Sequence, residues 1–503
     1  MNYAASLAFL PLLFAARTLP AQARGLELPV IFSDHMVMQR GKPVLIWGRD
    51  KPGTELVIQF GKQQKKSKAR LDGSWAATLD PVQPGPVREL RVRGSSEVLI
   101  RDILVGEVWF CSGQSNMELA LQRSAKGKEA IAAAQQDGIR LFKTDRLSSK
   151  EARFDVKGGP WTKASSTTAR GFSAVAWYFG LELHKKLGVP IGLVQCAWGG
   201  TRIQSWMSPK QLADKSFRDL TRQWSTQDKR AAATQKAHDK WRVKAEKAKR
   251  NGKQPPREPR KVNSANARHR PAGLFLGMAG PLLPYAYAGV IWYQGEANLK
   301  EASSYASFKR MLVQDWRRVS RQELPFYWVQ LASFKYRNST ERQLALLWEA
   351  QDQARDLPRT GMASAVDIGN PKNIHPTNKT EVGRRLSLLA LAEVYGQEVE
   401  SRGPELLSWK KQGKEIRLNF SHCDGGLISR GHLQSFEVAG SNRKFFPAAA
   451  RIDAGSILLT CPEVPSAKAI RYAFKALGPF PVYNQTGLPL TPFRTDNWLI
   501  KGQ

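Results

Sequence analysis

From about residue 26 to 104 the apolar positions come in short alternating runs, at 44–48, 55–60 and 90–98, broken by the turn pairs Pro52-Gly53 and Asp72-Gly73. Alternation with a period of two puts successive side chains on opposite faces of a strand, so this spacing predicts a small antiparallel β-sandwich. The pattern then changes. Strand patterns are expected at 105–111, 139–143, 191–197, 290–294, 326–331 and 362–367. Between and after them, helical spacing predicts helices at 173–187, 303–319 and 380–395. Gly188 and Pro190 stop the first of these helices, and Gly396 ends the last. Alternating strands and helices imply a mostly parallel sheet covered on both faces. Beyond residue 400 short strands return, at 415–420, 456–460 and 469–474. The chain therefore divides into a β-rich unit over 24–104, an α/β unit over 105–398 and a second β-rich unit over 399–503.

Ahead of these lies an unbroken apolar run over 4–16, too short to span a bilayer as a helix, followed by Ala21-Gln22-Ala23. A short apolar run before a small-x-small site is the pattern of a cleaved export signal, here 1–23. The expected location is secreted or periplasmic. No later segment approaches eighteen uncharged apolar residues, so no stable membrane anchor is expected.

Charge changes the picture next. The 503 residues carry 77 Lys and Arg against 43 Asp and Glu, a formal net charge of +34, while 42% hydrophobic content excludes a wholly disordered chain. Such a balance raises nucleic acid as a partner. The export signal argues against it, as does the lack of zinc-finger spacing, RNA-binding signatures or heptads. An anionic glycan or a cell surface is the expected partner instead. The charge is concentrated: residues 210–270 hold ten Lys and nine Arg against six acids. Within them the Ala/Lys/Arg-rich stretch 231–250 predicts a solvated helix ended by Pro255, Pro256 and Pro259. Two readings stand for this insertion at about 207–270: a surface scaffold with excess base, or an electrostatic arm over an anionic substrate.

Four cysteines are too few for a disulfide-built scaffold. Cys111 and Cys196 read as buried thiols at strand ends. Cys423 and Cys461, both in the C-terminal β region, are candidates for a disulfide in an oxidising compartment.

Ligand sites in open α/β sheets lie beyond the carboxyl ends of the strands, so the strand-exit segments form one set. The first is Cys111 to Met117, with Gly113-Gln114-Ser115 on a strand-to-helix turn, where a serine hydroxyl meets helix-terminal N–H groups. The second is Gly199-Gly200-Thr201. The third, Trp292 to Asn298, supplies the amides of Gln294 and Asn298 and the carboxylate of Glu296. The fourth runs from Asp367-Ile368-Gly369 to Ile374-His375-Pro376. Of seven histidines, His375 alone sits in an exit loop of the α/β unit, where a general base for Ser115 is needed.

The run Gly106 to Met117 (GEVWFCSGQSNM) resembles the nucleophile block of sialate O-acetylesterases, members of the SGNH/GDSL hydrolase superfamily. Phe32 to Arg40, Gly199-Gly200-Thr201, Trp292 to Glu296, and Ile374 to Lys379 with Val382 to Leu386 resemble the family in order, as does the tail from Gly487 to Asp496. The resemblance implies a flavodoxin-like α/β/α hydrolase core that removes acetyl groups from sugar hydroxyls. It implies Ser115 as nucleophile and His375 as base. The oxyanion hole would comprise the Ser115 N–H, an N–H of Gly199 or Gly200, and the side-chain amide of Gln294 or Asn298, with Gln114 and Glu296 close by. No metal or other cofactor is implied, and HExxH, paired CxxC and Walker patterns are absent.

One departure matters. The family usually places Asp two residues before the histidine, and this chain has Asn373, with Lys372 before it. Three readings follow: Asp367 serves as the acid, a backbone carbonyl orients His375 in a Ser–His dyad, or activity is degraded. The expected functions are accordingly a sialate-type O-acetylesterase, an esterase of acetylated xylan or another polysaccharide, or a carbohydrate-binding surface protein without turnover.

Overall fold

In the computed structural model, which describes residues 25–259 and 267–500, the strand carrying the nucleophile turn also builds the N-terminal β region. The expected export signal lies outside the described residues. In the N-terminal region Val44–Arg49 pairs with Ser74–Leu79, and Glu55–Phe60 lies between Gln63–Lys68 and Arg88–Arg93. The strands are antiparallel and alternate in burial, as their period-two pattern implies; the first two pair alone, and the other three join the core sheet through Arg88–Arg93. Arg88–Arg93 then pairs with the first half of β1 (Glu97–Gly113), whose second half enters the α/β core. The expected boundary at 104/105 thus falls inside one continuous strand.

The core continues with α1 (Ser115–Glu118), β2 (Gln136–Lys143), β3 (Thr162–Ala164), α2 (Ala174–Leu187) and β4 (Ile191–Ala197). After the long α3 (Arg218–Arg250) come β5 (Gly289–Tyr293), α4 (Ala302–Ser320), β6 (Phe326–Gln330), α5 (Gln343–Gln353), β7 (Thr360–Ser364) and α6 (Lys379–Glu393). Strands are ordered β7-β6-β5-β1-β4-β2, all parallel, with β3 antiparallel at the edge. Without the edge pair β2 and β3, this is the flavodoxin-like order, in which the chain leaves β1 for one side and returns to the other. Every residue of β4, β5 and β6 is buried, which is why these strands are dominated by apolar residues, with only Gln195 and Gln330 polar. Helices α2 and α6 pack together, as do α4 and α5, and the two pairs cover the sheet. Ser173 caps α2 through the Ala176 N–H, and Gly188 closes it with φ 64°, the left-handed conformation glycine adopts without strain.

After α6 the β-rich C-terminal region forms two four-stranded sheets and a short pair. It is bolted to the core by charge: Arg494 grips Glu349 of α5 in a two-pronged pair, and Tyr483 reaches Asp367. Cys423 and Cys461 are separate buried thiols, their Sγ atoms facing backbone carbonyls, so the expected disulfide is not formed. Cys111 and Cys196 are buried thiols at the core, as expected.

The basic excursion is longer and more ordered than its composition suggests. Helix α3 runs over 33 residues and ends at Asn251 and Gly252, before the prolines. The returning chain lies along its less exposed side. Trp241 Nε1 donates to Pro256 O at 2.6 Å, and Arg270 pairs with Asp228 at 2.6 Å while stacking on Trp224. Its lysines stay in solvent, as expected. Among the described residues no helix is long and apolar enough to cross a membrane.

Candidate active site

The nucleophile turn exists because two chain segments meet there almost in contact. Gly113 has φ 140°, and a Cβ at that position would stand 2.2 Å from the Tyr293 carbonyl oxygen at the end of β5. Only glycine fits both demands. Gln114 N–H donates to that same carbonyl, and the chain turns into α1 with Ser115 first. As the first residue of a helical turn, Ser115 offers an N–H with no intrahelical acceptor. Its Oγ lies 2.8 Å from His375 Nε2, across 260 positions of sequence.

His375 is held in a loop of asparagine-stabilised turns. Asn370 Oδ1 accepts from the N–H groups of Lys372 and Asn373, and Asn373 Oδ1 accepts from the His375 N–H at 2.9 Å. Burial, then the charges of Lys379 and Arg123, push the imidazole below the ordinary histidine range. The ring is therefore neutral near pH 7 and able to accept a proton. Arg123→Gln is expected to raise the His375 pKa in an NMR titration, and the difference should shrink at high salt because Arg123 is exposed.

Asp367 is not the acid of this pair. Its carboxylate is taken by Arg385 of α6 in a bidentate bond at 2.6 and 2.8 Å and also accepts from Tyr483. Among the described residues no carboxylate lies within 4.0 Å of either ring nitrogen, and no backbone carbonyl accepts from Nδ1. The expected backbone-carbonyl orientation is thus absent as well. Serine and histidine stand as a pair without a third member on the ring.

The amides expected in the oxyanion hole are committed elsewhere. Gln294 Nε2 donates to Thr201 O and to Asn298 Oδ1, while its Oε1 accepts from Tyr305. Asn298 Nδ2 donates to Gln204 and Glu301. Both side chains are fully buried, and all four amide hydrogens are used. They lock the Gly199-Gly200-Thr201 loop to β5 and contribute no free donor. The Gly199 N–H is also occupied, by Glu118 Oε2 at 2.9 Å. Gly199 itself lies against the nucleophile, since a Cβ there would be 3.2 Å from Ser115 Cβ. Gly200, with φ 70°, has an N–H without a bonded acceptor among the described residues, and the Arg268 guanidinium lies beside it. Gln114 is buried, and its Oε1 has no partner.

Three further residues converge here that sequence reasoning left without a role. Asn116, next to the nucleophile, donates from Nδ2 to Glu296 Oε1 at 2.6 Å and to the Ile374 carbonyl at 3.0 Å. Its Oδ1 accepts from Lys379 Nζ at 2.6 Å. Lys379 is fully buried, and burial, opposed by Glu296, brings its ammonium down to about 7. Burial also raises the Glu296 carboxyl. Lys309 is buried among Trp292, Tyr305 and Trp328 and is pushed far below the usual lysine range by burial. Asn116 and Lys379 stood inside quoted motifs, but nothing in the sequence marked a lysine as interior. Among the described residues no three His, Cys, Asp or Glu side chains cluster so as to hold a metal ion.

Comparison with known proteins places this geometry. A family model described as carbohydrate esterase, sialic acid-specific acetylesterase, matches residues 105–237 and 278–391. The unmatched gap holds the outer part of α3 and its return. Sialate O-acetylesterase of Mus musculus is 28% identical over 480 residues, covering 86% of this chain and 84% of its own. That of Homo sapiens is 26% identical over 471 residues, covering 84% and 79%. Among solved structures, a carbohydrate acetylesterase from Xanthomonas citri shares 33% identity and a TM-score of 0.81, over 94% of this chain and all of its own.

Proposed function

Because this chain belongs to the sialic acid-specific acetylesterase family of carbohydrate esterases, we propose that it hydrolyses acetyl esters on sugar hydroxyls, preferring anionic glycans of the sialate class, through an acetyl-enzyme at Ser115. The observation that carries this reading is the 2.8 Å contact of Ser115 Oγ with a neutral His375, at the sheet's switch point.

In the first half-reaction Ser115 Oγ attacks the acetyl carbonyl as His375 Nε2 takes its proton. The developing oxyanion has two candidate donors, the Ser115 and Gly200 N–H groups, which are free of protein acceptors among the described residues. Collapse passes the proton from His375 to the departing sugar oxygen and leaves the acetyl group on Ser115. Water, deprotonated by His375, then attacks the acetyl carbonyl; acetate leaves as the Ser115 Oγ–acyl bond breaks and His375 returns the proton to Oγ. With no protein acceptor on Nδ1 among the described residues, the imidazolium formed in each step is left to solvent for its stabilisation. A modest turnover follows relative to a full triad.

Cationic groups around the pair favour an anionic sugar. Arg123 and Lys379 act on His375, Arg268 lies at Gly200, and Arg202 and Arg268 hold the His269 imidazole below its usual range, after burial. Helix α3 carries further charge into solvent from the segment that begins just after this loop. The apolar 4–16 run before Ala21-Gln22-Ala23 supports an exported protein that meets such glycans outside the cytoplasm.

A panel scored for acetate release tests the reading: O-acetylated sialic acid, acetylated xylan and a neutral generic acetyl ester. The acetylated sialic acid is expected to have the highest kcat/KM. Reversing the exposed Lys236, Lys240, Lys244 and Lys247 to Glu should raise KM for the anionic substrate roughly threefold or more at low salt and leave the neutral ester unchanged. Preference for xylan would overturn the substrate class. Equal effects on both esters would reduce the arm to scaffold.

A further inference from the structure

We propose that Asn116 and Asn373 are positioning residues that aim His375 at Ser115 by gripping the two ends of one peptide unit, a task that a triad carboxylate performs on the imidazole ring. The unit is the one joining Ile374 to His375. Its carbonyl accepts from Asn116 Nδ2 at 3.0 Å, and its N–H donates to Asn373 Oδ1 at 2.9 Å. A trans peptide is rigid and planar, with its oxygen and hydrogen pointing in opposite directions. Pinning both ends stops it swinging about the line between its Cα atoms. That fixes ψ of Ile374 and φ of His375, and with them the direction in which the His375 side chain leaves the backbone.

The two grips differ in kind. Asn373 acts within its own loop, whereas Asn116 reaches across from the residue beside the nucleophile, so its bond ties the base to the hydroxyl it must meet. Asn116 is itself aimed. Its oxygen faces the Lys379 ammonium and its nitrogen faces the Glu296 carboxylate, which leaves one orientation of the amide. Flipping it would set N–H against ammonium and oxygen against carboxylate. Burying an ammonium and a carboxylate costs several kcal/mol for each ion, and apolar side chains would fill the space more stably. Glu296 Oε2 has no hydrogen-bond partner, and Asn116 is the one side chain that donates to this carboxylate among the described residues. The network therefore buys direction rather than stability. It also gives a physical account of Asn373, which lacks the charge of an acid but keeps the acceptor that holds the backbone of the base.

The inference rests on the Ser115–His375 reading, and its test separates the two. Asn116→Asp keeps the size of the side chain and removes the donor; Asn373→Ala removes the acceptor at an exposed position that tolerates change. Each is expected to lower kcat for a generic acetyl ester by roughly 10- to 100-fold, with KM within about twofold, the scale of loss for a misplaced catalytic group. Made in a His375→Ala background, either substitution should cost nothing further, because a residue that works only through the base has no base to aim. Full kcat in both variants, or an undiminished loss in the His375→Ala background, would overturn the clamp. Full activity in His375→Ala alone would instead overturn the assignment of the base.

Discussion

Replacing Ser115 with alanine is expected to lower acetate release by about 10⁴-fold or more while leaving the melting temperature unchanged. The hydroxyl is the only group lost, and its one hydrogen bond among the described residues is to His375. Residues that act as a unit fail together, so His375→Ala should fall to a similar level and the double variant little further. Residual turnover would come from binding and from N–H groups at the nucleophile turn. Stopped-flow or endpoint acetate assays on the three variants decide the matter. A wild-type chain that hydrolyses neither a generic ester nor O-acetylated sialic acid faster than Ser115→Ala would be a carbohydrate-binding protein on a hydrolase fold. The missing acid makes this comparison necessary, and the intact Ser–His contact sets the expectation.

The second large effect is on stability. Asp367→Ala removes the carboxylate that neutralises Arg385, whose side chain is 3% exposed, and leaves a guanidinium buried with only Glu381 and the Ser364 carbonyl. Breaking such a pair from one side costs about 3–5 kcal/mol, because the surviving charge keeps its burial and loses its partner. The Tyr483 hydroxyl also loses its acceptor, which loosens the C-terminal β region from the core. A large fall in melting temperature is therefore expected, with kcat per folded molecule and the pH profile close to wild type. An acid acting on His375 would show the reverse: little change in melting and a loss of several orders of magnitude in kcat. Removing both partners, as Asp367→Leu with Arg385→Leu, should recover much of the lost stability.

Much of the core was legible because its code is short-range. The strand at Ile191–Ala197 appears as a mostly apolar run, and Ser173 and Gly188 mark the two ends of α2 by cap chemistry that acts within one turn. The 17-residue β1 was legible only in part. It looks like two strands since its first half alternates against a half-exposed sheet and its second is buried on both faces. Helix α5 passed unnoticed because nearly all its apolar residues are buried and no polar stripe shows its period.

The site divides along the same line. Residue type and strand-exit position were enough to bring Ser115, His375 and the Gly199-Gly200 turn forward as candidates, because the ends of parallel strands are where such a fold gathers its loops. Chemistry alone could not say which of the polar groups were free. Gln294 and Asn298 have the right donors for an oxyanion, and burial assigns every one of their hydrogens to a neighbour. Asp367 has the right charge for a triad, and Arg385 takes it. Glu296 stands among the strand-exit groups and Lys379 inside a motif, and only folding places both behind one asparagine. By itself the sequence determined the kind of fold, the ends at which chemistry gathers and the nature of the groups there. Only the tertiary structure decided which of those groups remain unpaired, since a hydrogen bond or ion pair is settled by distances across hundreds of residues that no local pattern encodes.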